Sequence, residues 1–240
     1  MLKAQNNRWL GVPISILVRL ALRRRFHSVS VKGAGNLSKL DPKQSLIACA
    51  NHTNWWDGFV AGVFTSKLLG RQIYLGQEEK HLSRYQFFRS LGAFGINLEN
   101  PGAALPSLRY ALLLLTDPKN VVWMFPQGRL HAPDFPIVVK GGVSFLAKKS
   151  GATILPCVFR YEFRAEENPA VIISVGEPLP SDCSSERLTS ALSLLQRESK
   201  SFSNPDEPLP SMFLIKPNLS TNEKWDNLVR IKKTLLVRRQ

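Results

Sequence analysis

Apolar residues fall along this chain in short blocks of two kinds. Ser45-Leu46-Ile47-Ala48-Cys49-Ala50 and Val121-Val122-Trp123-Met124-Phe125 are continuous runs and predict buried strands. Gln72–Gly76, Thr153–Phe163 and Ala170–Val175 predict three more strands, and Val29–Val31 a weak one. Between them the spacing turns helical. Phe59, Val60, Val63, Phe64 and Leu68 share one face, and Gly70 fits a helix stop. Pro106 can open a helix carrying Leu108, Leu112 and Leu115. Gly141-Gly142 leads another with Val143, Leu146 and Ala147, stopped by Gly151. Ser184 to Lys200 aligns Leu188, Leu192 and Leu195. Strand and helix alternate, which predicts a single α/β domain whose sheet is mostly parallel and flanked by helices.

Local signals refine this outline. Pro156 lies inside a predicted strand and implies an edge or a break. Phe87, Phe88 and Leu91 predict a short buried helix, and 92–98 a turn into a short strand. Gly33–Asn36 is a turn, and Leu214–Ser220 is loop-like. At the front, Pro13 can start a helix in which Ile14, Leu17, Val18, Ala21 and Leu22 share a face, with Arg19 and Arg23 off it. Trp225, Leu228, Val229, Leu235 and Leu236 lie among basic residues and predict a second basic helix or a frayed tail. Three segments follow: 1–27, a basic amphipathic helix; 28–200, the folded body; 201–240, a linker and basic tail.

Charge changes the picture. The net charge is +14 over 240 residues. Residues 1–32 carry seven Lys/Arg and no acid, and 224–240 carry six against Asp226, so the body between is nearly neutral. Basic ends attract polyanions, either anionic lipid or nucleic acid. No nucleic-acid motif accompanies them, and the aromatics sit in apolar runs, so nucleic acid is not the expected partner. A basic amphipathic helix suits the headgroup layer of an anionic membrane. No run reaches the ~18 apolar residues of a spanning helix, and no secretory signal pattern is present. The expected location is the cytoplasmic face of a membrane, peripherally bound. Cys49, Cys157 and Cys183 show no metal or redox spacing and suit a reducing compartment.

The candidate chemistry sits after the first buried strand, in Asn51-His52-Thr53-Asn54-Trp55-Trp56-Asp57-Gly58. His52 falls where the strand ends, and Asp57 in the first turn of the next helix. A carboxylate beside an imidazole fixes its tautomer and makes a general base. Thr53 or Asn54 can cap the helix. Trp55 and Trp56 are expected to pack in the core. A second loop, Pro126-Gln127-Gly128-Arg129, also closes a predicted strand, and in a parallel sheet both loops face one pocket.

These stretches together resemble the glycerolipid acyltransferases. Asn51-His52 with Asp57 matches that family's NHxxxxD motif, and Phe125-Pro126-Gln127-Gly128 is similar to its FPEG block. Lys80-His81-Leu82 with Gly92–Asn97 resembles the block between, and Ile154-Leu155-Pro156-Cys157-Val158 the last one. The four blocks stand in family order over about residues 25–180. The resemblance implies a glycerol-3-phosphate acyltransferase-like fold. It implies transfer of an acyl group from acyl-CoA or acyl carrier protein to the hydroxyl of a lysophosphatidate-like lipid, without cofactor or metal. His52 would be the base and Asp57 its orienting partner. Backbone amides near Gly128 or after His52 would stabilise the oxyanion. Lys80, Asn97, Phe125, Pro126, Gln127, Gly128 and Arg129 would bind substrate, Lys80 and Arg129 as phosphate ligands. The chain departs from the pattern at Gln127 for glutamate, Arg129 for threonine, and Leu98-Glu99 for an arginine. These departures leave a different lipid alcohol or lysolipid open as acceptor, and Gln127 leaves open a non-catalytic lipid-binding relative.

Overall fold

The computed structural model describes residues 1–5, 8–98 and 101–218, and beyond these 220, 221, 223, 225 and 229. The expected basic helix at 224–240 lies almost wholly outside the described residues, as does Glu99. Helix α1 (Arg8–Arg25) precedes strands β1 (Ser28–Lys32) and β2 (Leu46–Ala50). Then come α2 (Asp57–Phe64), β3 (Gln72–Glu78), α3 (Glu79–Arg84), β4 (Ala93–Ile96), α4 (Pro101–Leu114) and β5 (Asn120–Met124). The chain continues through α5 (Gly142–Ser150), β6 (Thr153–Glu162), β7 (Ala170–Val175), α6 (Ser185–Ser199) and β8 (Met212–Ile215).

The eight strands form one sheet in the order β4-β3-β5-β2-β6-β7-β1-β8. Only the β6–β7 and β1–β8 pairs are antiparallel; the rest are parallel. The central strands bury both faces, which explains their unbroken apolar sequences. Along β2, Leu46, Ala48 and Ala50 face a core shared with Leu22 of the first helix, Phe26 just after it, and Val60 and Phe64 of the second. Ile47 and Cys49 face the opposite core, built with Ala111, Leu146 and Leu188 of α4, α5 and α6. Trp123 is fully buried, and its indole N–H donates to Thr65 Oγ1 at 2.8 Å. Thr65 opens a π-helical turn, Thr65–Leu69, that Gly70 ends at φ 61°. All three cysteines are free and buried, and burial pushes each thiol up from its ordinary value.

Several expectations change. Pro13 and Pro106 lie within their helices, each with an extra turn ahead of it. The turn before Pro13 is held by packing near the 3₁₀ segment Gln86–Leu91, where Gly11 approaches the Ser90 carbonyl. That segment is not the buried helix expected: none of its residues is buried and Phe87 is 48% exposed. Pro156 is on a central strand, paired with Cys49 of β2. The β7 ladder reaches only Cys157↔Val175, and Ile154 pairs beyond it with Leu179. Pro156's missing N–H therefore points into the gap between those pairings. The turn at 33–36 opens a 3₁₀ helix, Ala34–Lys39, with Gly33 left-handed at φ 74°. A side chain on Gly33 would strike the Val175 carbonyl. Leu214 and Ile215, expected in a loop, are buried in β8 against β1.

Helix α1 is two-sided. Leu22 is buried in the first core and Val18 packs against it. Val12, Ile16, Leu17 and Leu20 are all more than half exposed. Leu17 thus leaves the face predicted for it. Among the described residues no helix is long and apolar enough to cross a membrane.

Candidate active site

The site begins where β2 runs out. Asn51 extends that strand with its side chain: Nδ2 donates to the Phe159 carbonyl at 3.0 Å, and Oδ1 accepts the Phe159 N–H at 2.7 Å. This clasp on β6 fixes the chain one residue before His52. Asp57, first residue of α2, is fully buried. Its Oδ2 accepts from His52 Nδ1 at 2.8 Å, Thr53 N–H at 2.8 Å and Asn54 N–H at 3.0 Å. Its Oδ1 accepts the Tyr161 hydroxyl at 2.7 Å. Four donors and a helix N-terminus stabilise the carboxylate. A carboxylate can only accept, so His52 Nδ1 carries the proton and Nε2 keeps its lone pair. Tyr161 is held well above the usual tyrosine range by removal from water and by the Asp57 charge beside it, so it remains a donor.

The loop after β5 holds His52 from the other side. The His52 ring stacks on Phe125, centroids 4.4 Å apart and planes 14° from parallel. The His52 N–H donates to Gln127 Oε1 at 3.3 Å, and its carbonyl accepts the His131 N–H at 2.8 Å. The imidazole is thus set by a carboxylate, a ring and two backbone bonds.

His52 opens onto a cavity of about 1130 Å³. Its wall draws on both cores, Val18, Val63 and Ile73 from one and Ile96, Leu108 and Val143 from the other. Asn97, Phe125, Pro126, Gly128 and Arg129, expected to bind substrate, all line it. Two expected residues do not. Lys80 is exposed on α3 and stands outside the lining, while its neighbours Glu78 and His81 are part of it. Gln127 is turned inward, 7% exposed, and its Oε1 accepts from the His52 backbone.

Smaller corrections concern the loop itself. Neither Thr53 nor Asn54 caps α2; the N-cap position is Trp56, and Asn54 Oδ1 accepts the Trp56 N–H at 3.1 Å. Trp56 packs on the core as expected, but Trp55 is 53% exposed at the cavity. The amides first in line as oxyanion donors are engaged: Thr53 and Asn54 on Asp57, Gly128 on the Phe125 carbonyl at 2.9 Å. Tyr161 and the clasp role of Asn51 went unread in the sequence. Tyr161 is 104 positions from Asp57, and only the β2–β6 register brings them together. Among the described residues no group of three or more His, Cys, Asp or Glu is placed to hold a metal ion.

A buried carboxylate, an oriented imidazole with a free nitrogen, and an apolar cavity at one point make a general base able to take a proton from a hydroxyl. A family model described as Acyltransferase matches residues 28–160. The fold is similar to the crystal structure of the 1-acyl-sn-glycerophosphate (LPA) acyltransferase PlsC from Thermotoga maritima, at 17% identity and a TM-score of 0.58, over 81% of this chain and 80% of that one. No curated protein matches the chain in sequence.

Proposed function

The chain belongs to the acyltransferase family, and we propose that it moves a fatty acyl group from acyl-CoA or acyl carrier protein to the hydroxyl of a lysophosphatidate-like lipid. The observation carrying this reading is the 2.8 Å bond between His52 Nδ1 and buried Asp57, at a cavity whose wall is mostly apolar. His52 Nε2 takes the proton of the acceptor hydroxyl as its oxygen attacks the thioester carbonyl. Asp57 holds the tautomer and stabilises the imidazolium. The tetrahedral intermediate collapses, the C–S bond breaks, and His52 returns the proton to the departing thiolate. The nucleophile belongs to the substrate, so no protein serine or cysteine is acylated. The Arg129 N–H, on that wall and without a hydrogen bond among the described residues, is a backbone donor open to the oxyanion.

The apolar stretch between α1 and α2, lined by Gly11, Val12, Val18, Gly62, Val63 and Ile73, suits an alkyl chain. The outward residues Val12, Ile16, Leu17 and Leu20, beside Arg19 and Arg23–Arg25, suit a lipid surface on its anionic, cytoplasmic side. The test is purified protein given labelled acyl-CoA and lysophosphatidate on anionic vesicles. Transfer of label with equimolar release of free thiol is the expected result. Thiol release without a labelled lipid would make the protein a thioesterase instead.

A further inference from the structure

Three consecutive residues of β6 reach toward the site in different ways. The Phe159 backbone takes the Asn51 clasp, and the Tyr161 hydroxyl donates to Asp57. Arg160 lies between them. Side chains alternate along a strand, so it leaves on the opposite face. It is 5% exposed and is the single Lys or Arg among the buried residues described. It does not line the cavity.

A guanidinium out of water is costly unless its donors are paired, and here they are. Nε donates to Glu162, Nη1 to Asp134 Oδ1 at 3.0 Å, and Nη2 to Ser203 Oγ at 2.8 Å. Glu162 is a neighbour on the same strand, and Ser203 Oγ donates to it at 2.7 Å. Asp134 is different, because it belongs to the loop between β5 and α5. Residues 125–141 carry neither helix nor strand. The Arg160 hydrogen bond holds the Asp134 carboxyl below its ordinary value, although that side chain is 53% exposed. The turn around it is tied on both sides. Gln196 Nε2 of α6 donates to the Pro133 carbonyl at 2.8 Å and to the Phe135 carbonyl at 3.0 Å. The Phe135 ring stacks on His131, centroids 4.4 Å apart. His131 gives its N–H to the His52 carbonyl at 2.8 Å. Arg160 and the His52 carbonyl therefore hold the two ends of one short turn.

A segment without regular structure has no ladder to fix it, so its ties set its position. Among the described residues Asp134 makes the only ion pairs of 125–141, one with Arg160 and one with Lys200 at 3.9 Å. Lys200 is exposed, and a long exposed pair is worth little. The buried pair is the one that can hold the turn. Resting on the acyltransferase reading above, we propose that Arg160 is a positioning residue for the reaction. Through Asp134 it holds the 131–135 turn where the His131 N–H fixes the His52 carbonyl, and so keeps the imidazole aimed at the acceptor hydroxyl.

Removing Arg160 itself would strand the Glu162 charge, so the test starts from the exposed end of the pair. Asp134→Asn should lower kcat about tenfold and change KM for acyl-CoA and lysophosphatidate less than about twofold, the mark of a displaced base rather than of lost binding. Asp134→Glu keeps the charge and should recover most of the rate. Lys200→Met removes only the outer partner of Asp134 and should stay within about twofold of wild type. Proton NMR gives a second reading that does not depend on turnover. The His52 Nδ1 proton, bonded to Asp57, should shift in Asp134→Asn and return in Asp134→Glu. An unchanged kcat or an unchanged proton signal in Asp134→Asn would overturn the assignment. So would a change confined to KM, a loss that Asp134→Glu leaves in place, or an equal loss in Lys200→Met. A wild type that transfers no acyl group would overturn the acyltransferase reading instead, and the proton signal alone would then decide whether the pair holds His52.

Discussion

The loops after β2 and after β5 close neighbouring strands and face one cavity, yet they are built in opposite ways. In the first, the groups that fix the imidazole and its carboxylate are paired, Asn51 on Phe159, and His52, Thr53 N–H, Asn54 N–H and Tyr161 on Asp57, while the Thr53 hydroxyl is buried without a partner. In the second, Gln127 and His131 are spent on His52, while Arg129 and the nearby Lys140 offer unpaired charge. A reacting group must be held in one geometry before the substrate arrives, and the carboxylate that orients His52 is saturated with four donors. A recognition group must keep bonds open for the ligand, so its loop is not. The difference tells where each kind of substitution acts on the wall: on the hold of His52 in the first loop, on the charge offered to a ligand in the second.

That contrast can be broken by experiment. The largest effect should come from the base itself. His52→Ala should lower kcat by about 10³-fold, and Asp57→Asn by ~10²-fold or more, within the range for general-base catalysis. Initial rates of thiol release measure both. If either variant kept most of its rate, the saturated loop would be structural only. Tyr161→Phe comes next. It leaves one oxygen of a fully buried carboxylate without its partner, at about 1–3 kcal/mol of stability. The sign with pH follows from the raised tyrosine. The unfolded group titrates near 10 and the folded one above it, so the stabilisation is complete below pH 10 and is lost as pH rises beyond it. The difference in Tm between wild type and Tyr161→Phe should hold from pH 7 to 9 and shrink above 10. Gln127→Ala should be mildest: about 1 kcal/mol from one lost acceptor, and a severalfold fall in kcat with KM for the acceptor little changed. A change confined to acceptor KM would move Gln127 to the recognition side.

Much of this was legible in the sequence, for reasons that differ by residue. His52 and Asp57 are five apart, and a strand end followed by a helix start leaves their side chains little choice but to meet. The buried strands announced themselves because both faces are covered. Tyr161 could not be read, since its position depends on which strand lies beside β2 and in what register. Arg160 is invisible for a related reason: its partner Asp134 lies 26 positions away, and only the fold of the loop after β5 brings the two together. Lys80 stands outside the cavity lining, exposed on α3, although its neighbours Glu78 and His81 line the wall, because motif proximity is not spatial direction. Strand β8 was missed because four residues after a proline-bearing stretch carry too little periodicity to separate strand from loop.

The three buried sulfhydryls have a meaning for a protein that receives activated carboxyl groups. A thiolate in reach of a thioester would exchange with it, and the molecule would mark itself with the cargo meant for another. Here Cys49 and Cys157 are sealed among hydrocarbon with their thiols pushed up by burial, so neither can serve as a bystander acceptor, and Cys183 is buried with its thiol on the Ser184 carbonyl. Self-modification is closed off by packing alone.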